Sequence, residues 1–203
     1  MAQYKKEDIK EKIDTAALKI FAEKGYENAK ISEIAGKAKV SVGNVYRYYK
    51  SKDEIFYSVV PETLLGNLKA ILIEKITLAR ADQTKGNAKT KRVGLINEEF
   101  IEFMVSHKEC ILILFLGSKG TKYENIKNEI VEYLIHTVRQ NYSGEGNPII
   151  HDTQNHGTIR MIYEKLIEMM MTAVKSAETL EDAKKSLQII NDYHSFGVIE
   201  LFK

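Results

Sequence analysis

The chain has 203 residues, a net charge of +2 at neutral pH, one cysteine, two prolines and 12 glycines. That length supports one large or two small domains with a packed core, and the lone Cys110 excludes an internal disulfide. The first residues, Met-Ala-Gln-Tyr-Lys-Lys, lack the apolar region of a signal peptide, which points to a cytoplasmic protein with no membrane role. Scarce proline and plentiful helix formers favour an all-α fold. The charge is unevenly placed. Residues 1–53 carry 12 Lys+Arg against 8 Asp+Glu, a net +4, and the other 150 carry 18 against 20, a net −2. A basic N-terminal part on a mildly acidic body fits a polyanion-binding module joined to something else.

In chain order, residues 6–24 read as an amphipathic helix with Ile9, Ile13, Ala17, Ile20 and Phe21 on one stripe. Gly25 is placed to end it in a left-handed conformation, and Tyr26 folds back on that end. Residues 31–54 read as a helix-turn-helix followed at once by a third helix. Ile34, Ala35 and Ala38 form the stripe of the first helix, and Ala35 is small enough for a close crossing. Ser41 caps the second helix by accepting from the N–H of Asn44. Val42, Val45 and Tyr49 are spaced to face inward, which leaves Gly43, Asn44, Tyr46, Arg47, Tyr48 and Lys50 outward. Ser51-Lys-Asp-Glu54 is a capping box for the next helix.

That helix extends to about Ala81, with Pro61 predicting a kink or break at Val60. Residues 82–92 read as a loop and about 93–106 as a helix. Lys108–Leu116 is short and nearly all apolar, so it reads as buried with Cys110 inside it. Residues about 123–142 form another helix, Ser143–Pro148 a loop, and 152–176 and 179–202 two long helices. On this last pair Ala183, Leu187, Ile190, His194, Gly197 and Leu201 repeat at four and three. Ile189, Tyr193, Phe196 and Ile199 fill an adjoining face. Ile159, Ile162, Leu166, Met170 and Ala173 do the same on the preceding helix. Two such faces imply a homodimer built as a four-helix bundle, with Ile162, Leu166, Leu187, Ile190, His194, Gly197 and Leu201 at its interface.

Phe21-Ala-Glu-Lys-Gly25-Tyr26, Ile34-Ala35, Val40-Ser41-Val-Gly43, Tyr46-Arg-Tyr-Tyr49 and Lys52-Asp-Glu-Ile-Phe56 together resemble the TetR family of bacterial transcriptional regulators. The resemblance covers roughly residues 9–56. It implies a three-helix helix-turn-helix DNA-binding domain over residues 1–50, joined to a six-helix effector-binding and dimerisation domain over 51–203. By the family's pattern Ser41, Val42, Gly43, Asn44, Tyr46, Arg47 and Tyr48 lie at or near the major groove, with Tyr46, Lys50 and Lys52 at phosphates. Three positions depart from that pattern. Lys39 replaces the usual turn glycine, and a left-handed lysine costs about 1 kcal/mol. Lys30 replaces a threonine cap. Val42 stands where a polar residue is common and suits a thymine methyl. Direct readout then rests mostly on Asn44, paired with adenine, and Arg47, paired with guanine or a phosphate.

Effector contacts fall to Met and aromatic side chains of the middle helices: Phe100, Phe103, Met104, His107, Phe115, Tyr133, Met161 and Met170. Asp152 and His156 are one turn apart but form no dense metal cluster, and Gly144-Glu-Gly146 lacks the preceding strand of a phosphate loop. No serine, cysteine or paired-acid constellation points to catalysis, so neither a cofactor nor a metal is expected. The expectation is a homodimeric repressor, released from a palindromic double-stranded operator by a small-molecule effector. The alternatives are the same fold under a protein partner or as an activator, and a helical enzyme or scaffold.

Overall fold

The computed structural model describes residues 2–84, 98–141 and 155–201, with side chains over 7–74, 98–140 and 155–194. The regular elements among them are all helices: α1 Ala2–Asn28, α2 Ile31–Ala38, α3 Val42–Tyr46, α4 Lys52–Val59, α5 Glu62–Thr84, α6 Glu98–Ser106, α7 Lys108–Leu116, α8 Ile126–Asn141, α9 His156–Ser176 and α10 Leu180–Leu201. The loops expected at 82–92 and 143–148 lie mostly or wholly outside the described residues, as does Asp152. No helix among the described residues is long and apolar enough to cross a membrane.

The chain forms two compact units, residues 1–65 with 107–126, and residues 66–106 with 127–203. In the first, α1 packs on α2, α4 and α7. Ile13, Ala17 and Phe21 of α1, Ile34 of α2, Val45 of α3, Ile55 and Phe56 of α4 and Ile111 and Leu114 of α7 are all sealed from water. Each such large apolar side chain contributes on the order of 1.5–3 kcal/mol on burial. Phe56 is the hub of an aromatic cluster. Its ring meets Phe21 at 5.3 Å, Tyr26 at 5.2 Å and Tyr57 at 5.4 Å, each edge to face. That is the arrangement the ring quadrupoles prefer.

Several local expectations change here. Gly25 has φ 73° and ψ 165°, so φ is positive but the residue is not in the left-handed helical well expected of it. It sits in a region open essentially to glycine alone. The reason is contact with α7: the N–H of Tyr26 donates to the carbonyl of Gly117 at 2.7 Å, which turns the chain away from a helical exit. Pro61 breaks the helix rather than kinking it. Val60 leaves helical geometry (φ −121°, ψ 73°), so the single helix expected from Ser51 becomes α4 and α5. In α7, Ile111, Ile113 and Leu114 are buried, but Leu116 is 60% exposed because the helix ends at Gly117. Cys110 is half-buried and donates to the carbonyl of Val59 at 3.2 Å. Burial raises its thiol pKa, as expected of a structural cysteine.

In the second unit α9 and α10 pack along each other, and α10 also packs on α6. Phe100 and Met104 of α6, Tyr163, Leu166, Met170 and Val174 of α9, and Ala183 and Leu187 of α10 are core. Arg160 joins α9 to α8 by donating to the Glu132 carboxylate and, at 2.9 Å, to the side-chain amide oxygen Oδ1 of Asn128.

Candidate nucleic-acid interface

The helix-turn-helix is built by local hydrogen bonds that its sequence permits. Lys30 cannot cap α2 with its side chain, being a donor only. Glu33 compensates: its carboxylate accepts from the Lys30 N–H at 3.1 Å, and Lys24 pairs with it at 2.6 Å, which lowers the Glu33 pKa. The turn closes as a full Schellman motif. Val40 N–H donates to the Ala35 carbonyl at 3.0 Å and Lys39 N–H to that of Gly36 at 3.1 Å. This requires Lys39 to be left-handed, and it is (φ 57°, ψ 40°). The turn therefore keeps its usual geometry and carries the strain of a side chain there.

α3 is capped as expected, with the Ser41 hydroxyl accepting from Asn44 N–H at 3.1 Å. It is only five residues long, followed by the turn residues Arg47 and Tyr48 rather than a helix running to Tyr49. The capping box at Ser51 forms in one half. Ser51 accepts from Glu54 N–H at 3.2 Å, while the Glu54 carboxylate reaches back to the N–H of Lys50 instead of Ser51.

The exposed side of this segment carries the expected set. Ser41, Val42, Gly43, Tyr46, Arg47 and Lys50 are exposed, Asn44 and Tyr48 are partly exposed, and Val45 and Tyr49 are buried. Val42 corrects its inward reading: it is 40% exposed, because only positions 45 and 49 meet the core. Lys39, Arg47 and Lys50 make no ion pair among the described residues, whereas Lys24 and Lys37 are neutralised by Glu33 and Glu23. The surface around α3 thus presents cations, an amide, phenols and an apolar methyl pair, the groups that contact phosphates and base edges.

Two clamps hold α3 that spacing did not reveal. The buried Tyr49 hydroxyl donates to Asp14 of α1 and lies 3.0 Å from the Ser58 hydroxyl of α4. Lys10 completes the clamp on Asp14 at 2.8 Å. Burial and the Asp14 carboxylate raise the Tyr49 pKa, so it remains a donor. The second clamp is Tyr26, whose hydroxyl donates to Asp53 at 2.7 Å. Burial, then the Asp53 hydrogen bond, push its pKa to about 12. Lys52, expected at a phosphate, is turned inward and donates to the carbonyls of Tyr26, Glu27 and Ala29. The Tyr49–Asp14, Tyr26–Asp53 and Lys52 contacts join residues 23 to 35 apart in the chain, so no periodicity flags them.

The effector candidates do not share one site. Phe100, Met104 and Met170 are buried and Phe103 and Tyr133 half-buried in the second unit, while His107 and Phe115 belong to the first. Met161 is 54% exposed on the outer side of α9, and His107, the residue just before α7, is exposed, so neither is buried in a core. The Tyr133 hydroxyl is buried with no hydrogen-bond partner. Among the described residues no group of three His, Cys, Asp or Glu is placed to hold a metal. His156 instead faces Glu132 at 3.4 Å.

The interface residues also divide. Leu166, Leu187 and His194 are buried within the chain, because that row is the seam between α9 and α10. Ile162 and Ile190 are half-buried, and the side chains of Gly197 and Leu201 lie outside the described residues. The outward face of α10 carries Ile189, 70% exposed, and Tyr193, 72% exposed.

Residues 13–59 match the profile of "Bacterial regulatory proteins, tetR family". The chain is 40% identical over 58 residues to the HTH-type transcriptional regulator HbdR of Aromatoleum sp., a match covering 29% of this chain and 25% of that protein. It is 31% identical over 118 residues to the Fatty acid metabolism regulator protein of Bacillus subtilis, covering 58% and 57%. The chain therefore spans from a quarter to just over half of these relatives' lengths. A TetR-like transcriptional regulator from Rhodococcus sp. RHA1 shares the fold at 16% identity, with a TM-score of 0.55 over 94% of this chain and 96% of that one. The profile match falls on the helices that build the α3 face, and over those residues the chain is similar to bacterial regulatory proteins of the TetR family.

Proposed function

We propose that the protein is a DNA-binding transcriptional repressor that works as a homodimer and leaves a palindromic operator when a small molecule binds. The observation that carries this reading is the α3 face. Val42, Tyr46, Arg47 and Lys50 project outward on a segment whose other side, Val45 and Tyr49, is anchored in the core. The match of residues 13–59 to the tetR-family profile and the regulator names of the relatives support it. In this reading residues 1–50 contact DNA and residues 51–203 dimerise and bind the effector. Two α3 segments enter successive major grooves about one helical turn apart. Dimerisation uses the Ile189 and Tyr193 stripe of α10, a face too apolar to leave in water, with α9 and α10 of two subunits forming a four-helix bundle. The effector acts by shifting α5, which begins at the Pro61 break, and so changes the separation of the two α3 segments.

The test is a fluorescence-anisotropy titration of a duplex from upstream of the protein's own gene, against a scrambled duplex, over a salt series. It is then repeated with panels of acyl, aromatic and cationic compounds. Tighter binding to the native duplex, a steep salt dependence and release by one panel member are expected. Equal binding to the scrambled duplex overturns operator recognition, and indifference to every compound overturns the ligand-responsive part.

A further inference from the structure

The position of Lys52 carries an assignment of its own. Its ammonium donates to three backbone carbonyls, Tyr26 at 2.8 Å, Ala29 at 3.1 Å and Glu27 at 3.3 Å. An ammonium has three N–H donors, and this arrangement uses them all. The acceptors follow the non-helical Gly25 near the end of α1, and the Tyr26 carbonyl also accepts from the Ala29 N–H at 3.3 Å. The Tyr26 ring lies under the same nitrogen at 4.3 Å, a cation–π distance. The next residue, Asp53, accepts from the Tyr26 hydroxyl at 2.7 Å. Residues 26–29 lead the chain into α2, and residues 51–53 lead it out of α3. Lys52 and Asp53 therefore join the entry of the helix-turn-helix to its exit.

We propose that Lys52 is a positioning residue: it clasps the two ends of the α2–α3 segment and so orients α3, and it is not a phosphate ligand. The proposal rests on the DNA-binding reading and deepens it, moving the phosphate contacts near this helix start to the exposed Lys50 and Arg47. To reach a phosphate, Lys52 has to give up three hydrogen bonds and a ring contact. Lys50 has no comparable anchor, since only its backbone N–H is engaged, by Glu54. Arginine at position 52 is a poor substitute, because its planar fork cannot converge three N–H groups on carbonyls clustered around one nitrogen.

The full-length chain and the variants Lys52→Met, Lys52→Arg and Lys50→Met are compared by thermal unfolding and by the salt dependence of duplex binding. Lys52→Met is expected to lower the thermal midpoint by at least about 2–4 °C, and to weaken binding at every salt concentration while leaving the log–log slope at its wild-type value. Lys52→Arg follows Lys52→Met. Lys50→Met keeps the wild-type midpoint and loses about 0.9 from the slope, the signature of one phosphate contact. A wild-type midpoint for Lys52→Met with a slope smaller by about 0.9 overturns the proposal, as does wild-type behaviour of Lys52→Arg. If the wild-type protein binds no duplex, the DNA-binding reading fails by itself; the midpoints of Lys52→Met and Lys52→Arg then decide whether the clasp exists.

Discussion

Replacing Gly25 by alanine tests the junction between α1 and α7. At φ 73° and ψ 165° the backbone occupies a region that costs a residue with a Cβ on the order of 1–3 kcal/mol. The added Cβ itself is a minor matter: it lies 3.4 Å from the Gly117 carbonyl oxygen and 3.5 Å from its Cα, ordinary contact distances. The alternative to strain is rotation of φ, which pulls the Tyr26 N–H off Gly117 and forfeits a hydrogen bond worth about 0.5–1.5 kcal/mol. The two routes give a loss of about 1–2 kcal/mol, or a thermal midpoint lower by about 2–8 °C in a chain of this length. The assay is denaturant unfolding, with a lower transition midpoint at unchanged slope. Gly66→Ala is the control. Gly66 is exposed inside α5 with nothing within 4 Å of an added Cβ, so alanine there is expected to stabilise by about 0.5–1 kcal/mol. A wild-type transition for Gly25→Ala, or an equal loss from Gly66→Ala, refutes the reasoning.

Three further outcomes are expected. Asn44→Ala should cost roughly 1–3 kcal/mol of specific affinity and relax preference at one base pair, read by binding-site selection; an unaltered selected sequence contradicts the base contact. Ile189→Asp and Tyr193→Asp should convert the dimer to monomer by light scattering with helicity retained, and weaken operator binding by about 100-fold or more through lost avidity; a persisting dimer places the interface elsewhere. His194, buried against Tyr163 with its Nε2 unpartnered, has a pKa lowered by burial to about 4. Between pH 6.5 and about 4 the unfolded chain takes up a proton there that the folded chain refuses. Stability is therefore undiminished above pH 6.5 and falls on acidification through that window, by up to roughly 3 kcal/mol. His194→Phe should flatten the decline, and an identical pH profile in that variant removes His194 as its cause.

Residues near in sequence were legible without a structure. Ser41 on Asn44 is a contact three residues away, and the Val60–Pro61 break follows from a missing N–H and one steric clash. The outward set on α3 was mostly correct because the helical period decides it. Val42 was misjudged since a period shows which residues share a side, not how far the core reaches along it. The same limit applies to α10. Leu187 and His194 form a true apolar row, but only packing shows that α9 already covers it and that Ile189 and Tyr193 are left exposed.

The sequence by itself determined the helical class, the helix-turn-helix and its caps, because these depend on hydrogen bonds and periodicities spanning three to seven residues. Only the tertiary structure decided what Gly25, Tyr49, Lys52 and Asp53 do. Gly25 takes its conformation from α7, some 90 residues away; Tyr49 reaches Asp14, and Lys52 and Asp53 reach the end of α1. Each of these contacts joins distant parts of the chain through a single donor or turn, and a pattern of neighbours along one strand of sequence carries no record of which carbonyl a distant ammonium will find.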